Sequence, residues 1–203
     1  MRCGISQWSG LLLLLATWEA QAADAHYKNV TVEPRTDVNF SFYDVKATDG
    51  KALRDHLLQV APKTTAGHRA IGKAVYQVDW QLDLNQQSDT CQLFGVHVLT
   101  KVNVVMPNWL QLSKLNESTQ NNWNGFLSAM MEYEGRHKEI VQEAAQKIGD
   151  GIAGLPVNGS CQALREQADA VGETQLEKAR EQMRRYQSET GKGRYMGVAY
   201  PKF

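Results

Sequence analysis

Glu134 and His137 stand three residues apart in "YEGRHKEI", residues 133–140, where they could take part in hydrolytic chemistry if a metal ion joined them. A zinc-peptidase helix reads His-Glu-x-x-His. Two imidazoles one turn apart hold the ion, and the glutamate beside the first takes a proton from the metal-bound water. Here Glu134 and His137 fill the glutamate and second-histidine positions, while Tyr133 occupies the first-histidine position. A phenol with a pKa of about 10 binds a cation well only after losing its proton, so the motif is short of one ligand.

These residues need a helix to position them, and the flanking sequence supplies it. Between residues 122 and 148, Trp123, Leu127, Met130, Val141, Ala144 and Ile148 recur at helix-face spacing, with Gly149 and Gly151 expected to end the run. Continued through its middle, the stripe places Glu134 and His137 inward. A carboxylate on a core face costs several kcal/mol unless something pairs with it. For His137 alone, a core imidazole bonded to a backbone carbonyl is the simpler account. Two ionisable groups on one apolar stripe favour a polar site. A second helix over about 162–186 carries Leu164, Ala168, Val171, Leu176, Ala179, Met183 and Tyr186 as its stripe, and "EKAREQMRR" is its solvated face.

The front half alternates with a period of two. In "AVYQVDWQLDL", Tyr76, Val78, Trp80, Leu82 and Leu84 share one face and Gln77, Asp79, Gln81 and Asp83 the other. "GVHVLTKVNVVMP" repeats the pattern with Val96, Val98, Val102 and Val104, and is expected to stop at Pro107. The polar loop between them predicts a hairpin. An earlier strand, "VNFSFYDV", leads through Asp49-Gly50 to a short helix, "KALRDHLLQV", closed by Pro62. The class is α+β in a single domain: antiparallel strands over about 27–106, a pair of long helices over about 115–187, and a glycine-rich tail over 190–203.

Residues 1–22 read as a secretory signal: Arg2, an apolar run over 11–18, then Ala20-Gln21-Ala22 as a small-x-small cleavage box. The mature chain, residues 23–203, is therefore expected in a periplasmic or extracellular space, with no membrane attachment after cleavage. The 22 basic and 22 acidic residues give a net charge of zero with the signs interleaved, which argues against nucleic acid as a partner. Of three cysteines, Cys3 falls in the signal, leaving Cys91 and Cys161 as an even count that reads as one disulfide, with two buried thiols as the alternative. Asn29, Asn39, Asn116 and Asn158 open Asn-x-Ser/Thr sequons, which matter only in a host that glycosylates exported proteins.

Five segments in order carry a resemblance: "FYDV" at 42–45, "TCQLFGVHVLTKVNVVMPNW" at 90–109, "YEGRHKEI" at 133–140, Cys161, and "ETGKGRYMGVAYP" at 189–201. The chain resembles a bacterial domain-of-unknown-function family of predicted secreted zinc-dependent proteases. Its helix reads His-Glu-x-Gly-His and its tail Thr-x-His-Gly. The resemblance implies Glu134 as general base, His137 as metal ligand, and a further ligand from the tail. Thr190 and Gly193 match that tail, but Lys192 stands where the family has histidine, and an ammonium repels a cation. With Tyr133 and Lys192 both departing, the expectation is an exported protein that binds no cofactor tightly and meets a protein or peptide partner without catalysis. The alternative is a zinc metallopeptidase with an altered ligand set. A further expectation is that Lys192 replaces the lost metal charge by pairing with Glu134, with Tyr133 and His137 completing the cluster.

Overall fold

A computed structural model describes residues 30–64, 67–88, 90–156 and 159–198. The expected signal at 1–22, Asn29 and Asn158 lie outside the described residues. The chain forms β1 (Thr31–Val45), α1 (Gly50–Val60), β2 (Lys73–Gln87), β3 (Thr90–Trp109), α2 (Glu117–Ala153) and α3 (Cys161–Glu189), with single 3₁₀ turns at Leu112–Lys114 and Arg194–Met196. It is the expected α+β arrangement, a sheet covered on one face by helices. Among the described residues no helix is long and apolar enough to cross a membrane.

β2 and β3 form the expected hairpin, and their apolar faces turn towards the helices while Gln77, Asp79, Gln81 and Asp83 stay exposed. The sheet is not wholly antiparallel, however. Its order is β1-β3-β2, and β1 runs parallel to β3, from Thr31 opposite Gly95 to Val45 opposite Trp109. The long connection through α1 carries the chain past the place of the middle strand, which β3 fills last. Alternation reveals which face a residue occupies but not which strand lies beside it, so this pairing was not readable from the period-two pattern. β3 also continues beyond Pro107 to Trp109. β2 begins at Lys73, opposite Val105, so at Pro107 β3 pairs with β1 alone among the described strands and a missing N–H is tolerated.

The long helices start on side-chain caps. The Asn116 side chain accepts from the Thr119 N–H at 2.9 Å, and Ser160 Oγ accepts from the Ala163 N–H at 3.2 Å. Gly149 and Gly151 do not end α2; both lie inside it, where two neighbours come too close for a side chain. A Cβ at Gly149 would stand 2.5 Å from Val32 Cγ1, and one at Gly151 would stand 2.9 Å from Val171 Cγ1. These glycines let α2 rest on β1 and on α3.

The core has two main parts. Leu53, Leu57, Met106, Trp109, Trp123 and Met130 fill the end near α1, and Leu93, Val96, Val98, Ile148, Ile152 and Leu164 fill the other. Cys91 and Cys161 are bonded to each other, closing a loop across a sequence separation of 70 and tying β3 to the first turn of α3. A crosslink of that span contributes up to roughly 4 kcal/mol by restricting the unfolded chain. Such a bond is compatible with an oxidising, extracellular compartment.

Candidate functional site

Tyr133, Glu134 and His137 project from the middle of α2 into the junction between β2, α3 and the tail. His137 is 4% exposed and Tyr133 8%, so the phenol sits as far inside as the imidazole. The Glu134 side chain is 13% exposed. Its Oε2 accepts from the Tyr76 hydroxyl of β2 at 3.0 Å and lies 3.2 Å from His137 Nδ1. With that contact made through Nδ1, the other ring nitrogen, Nε2, is buried without a hydrogen-bond partner among the described residues.

Aromatic rings close around the pair. Tyr133 meets the His137 ring edge-on with centroids 4.7 Å apart, and stacks on Tyr186 of α3 at 5.4 Å. Tyr186 is itself edge-on to His137 at 5.3 Å, and its hydroxyl contacts Met196 Sδ at 3.0 Å. The tail then folds back over Tyr133. Thr190 Oγ1 donates to the Tyr186 carbonyl at 2.7 Å and accepts from the Gly193 N–H at 3.2 Å. At Gly193 the backbone is left-handed (φ 83°), and a Cβ there would stand 3.3 Å from the Tyr133 ring and 2.9 Å from Val198 Cβ. Glycine is needed for both reasons.

Burial first, then the charge of Glu134, pushes the Tyr133 phenol up to about 12 and raises Tyr76 well above the usual phenol range. Burial also raises Tyr186. All three phenols are therefore neutral at physiological pH. As neutral phenols they can donate hydrogen bonds.

Lys192 does not pair with Glu134. It is exposed, has no ion pair among the described residues, and lines an open cleft with Arg184, Arg194 and Tyr195. Its backbone is left-handed (φ 59°) and its N–H donates to the Gln187 carbonyl at 2.6 Å, so it turns the chain at the end of α3. Solvating an ammonium costs less than burying it, and Tyr76 with His137 already satisfies the Glu134 oxygen. The site's sequence signature thus gathers Tyr133, Glu134 and His137 but leaves Lys192 outside.

Tyr76 and Tyr186 are the members that motif reading missed, since both read simply as members of apolar stripes. The available signal was the hydroxyl, because a tyrosine on a buried face usually has a polar partner. A catalytic zinc takes three protein ligands. Among the described residues no three His, Cys, Asp or Glu side chains converge on a common point. The donor set is one imidazole, one doubly engaged carboxylate and neutral phenols, and it does not fit such an ion.

A separate titratable group lies on the outer face of the sheet. His97 of β3 bridges Glu33 of β1, 3.0 Å from Nδ1, and Asp83 of β2, 2.8 Å from Nε2. The bond to Asp83, more than any other contact, raises this imidazole above its ordinary range.

The fold and site together define a mixed three-stranded sheet backed by an antiparallel helix pair, with a tyrosine-lined Glu–His pair at their junction. Residues 40–193 match the family described as bacterial protein of unknown function, DUF922, and the chain belongs to that family. Comparison with curated proteins and with solved structures gives no match.

Proposed function

We propose that this protein is an exported, noncatalytic member of its family, a relative of zinc-dependent proteases in which the catalytic helix has become a polar fastener. The observation that carries this reading is the engagement of Glu134 Oε2 by both Tyr76 and His137, beneath a stack of two neutral phenols. A catalytic metal must have imidazoles converging on it, and the one imidazole here turns its Nδ1 to the Glu134 carboxylate. This cluster instead joins β2, α2, α3 and the tail, leaving outer surfaces to meet a protein or peptide partner. Residues 1–22, the paired cysteines and the balanced charge support export to an oxidising compartment.

One observation favours the alternative, a zinc metallopeptidase using Glu134 as base and His137 as ligand: His137 Nε2 is buried and unpartnered. Elemental analysis of the purified protein after mild dialysis, alongside a peptide-hydrolysis assay, decides between the two readings. Sub-stoichiometric zinc and no hydrolysis are expected. Stoichiometric zinc, or hydrolysis abolished by Glu134→Gln, would overturn the noncatalytic reading.

A further inference from the structure

β1 is an edge strand of 15 residues whose second edge faces no other strand among the described residues. From Val32 to Phe40 its even-numbered side chains share the face of Val98, Val102 and Val104 of the core. The helices cover only the first part of that row. Gln142 of α2 donates to Thr36 Oγ1 at 3.1 Å, and Gly149 rests on Val32. Past Thr36 the cover lapses, and Val38, Phe40 and Phe42 are 42%, 44% and 66% exposed, before Tyr43 and Val45 rejoin the core. Met131, on the same flank of α2 by helical spacing from Gln142 and Gly149, is also 43% exposed. A long edge with an apolar row and unspent backbone donors and acceptors is a template for another strand.

The charges on the opposite face of β1 select the occupant. We propose that this edge is a homodimer interface in which two copies of β1 pair antiparallel about a twofold axis through Thr36. In that register Arg35 of each copy lies opposite Asp37 of the other, and Glu33 lies opposite the neutral Asn39. Arg35 and Asp37 already touch within one chain at 2.8 Å, so the four charges alternate in sign around the axis. On the helix side, Val38 meets Pro34 and Phe40 meets Val32, which covers the row that α2 leaves bare. Moving the axis one residue along, to Asp37, sets two carboxylates against each other, and moving it to Val38 leaves Asp37 opposite Asn39 and Arg35 opposite Ser41. Centring it on Pro34 sets Arg35 opposite Glu33 but leaves Asp37 opposite Thr31, so only the Thr36 register pairs Arg35 with Asp37. The two sheets join into one of six strands, with both helix layers on the same side. Pro34 has no N–H to offer across the edge, which interrupts the ladder and keeps the association reversible. The dimer does not depend on whether the Glu134 cluster is catalytic.

Sedimentation equilibrium of the purified protein over a concentration series tests this, with thermal melting as the control for folding. A monomer–dimer equilibrium is expected. Arg35→Asp or Asp37→Arg alone should weaken dimerisation by about tenfold, since each dimer carries the change twice. The double swap R35D/D37R should restore it, because opposite signs again face each other. Phe40→Lys should leave a folded monomer. A wild-type protein that stays monomeric throughout, including one whose edge takes up a strand from another polypeptide, would overturn the proposal. So would dimerisation indifferent to the single charge changes.

Discussion

Removing the Glu134 carboxylate strands His137 Nδ1 and leaves the Tyr76 hydroxyl only its long 3.4 Å bond to the Glu134 carbonyl, in a place where water does not reach easily. Glu134→Ala should therefore destabilise the protein by about 3 kcal/mol, within the range for breaking one side of a buried polar pair. Lys192→Met should change stability by no more than about 0.5 kcal/mol, as for an exposed side chain with no ion pair among the described residues. Urea unfolding of the two variants beside the parent checks both values, and equal losses would mean that Lys192 has a buried partner after all. At this scale the helix motif was legible because helical spacing alone turns Glu134 and His137 inward. What satisfies them was not legible. Tyr76 lies 58 positions away on another element, and nothing local distinguishes a hydroxyl that finds a carboxylate from one that finds water.

The elements themselves were legible wherever a face repeats. β2 and β3 show their alternation, and both long helices show their stripes. Glycine was the misleading sign in α2, since Gly149 and Gly151 resemble stops and act instead as contact points for Val32 and Val171. The strand order was hidden because a parallel partner leaves no turn between the paired segments. One consequence of that order can be measured. His97 reaches both of its carboxylates only because β3 lies between β1 and β2. Its pKa is raised in the folded chain, so its contribution to stability is complete below the unfolded value of about 6.5 and is lost as pH rises through the folded value. The stability advantage of the parent over His97→Gln should thus be largest near pH 6 and fade in alkaline buffer, and added salt should shrink it because the group is exposed. NMR titration should show the His97 pKa falling further with Asp83→Asn than with Glu33→Gln. The reverse ranking would refute the bridge as described.

For the molecule as a whole, the middle strand is the last of the three to be made. During synthesis β1 emerges first, yet its neighbour in the sheet, β3, arrives 64 positions later, whereas β2 meets β3 directly after it in the chain. Assembly in time should therefore run against the order of the sequence. The hairpin forms first because it closes the shorter loop, and the oldest strand waits, apolar and unpaired, until the youngest gives it an edge to join. Refolding the disulfide-bonded protein under pulsed hydrogen exchange should show β2 and β3 amides gaining protection ahead of those in β1. Simultaneous protection of all three strands would exclude the sequence of events. The interval leaves Val38, Phe40 and Phe42 bare on every newly made chain, so yield should depend on how quickly β3 follows: conditions that slow the chain between residues 45 and 90 should favour aggregation through β1.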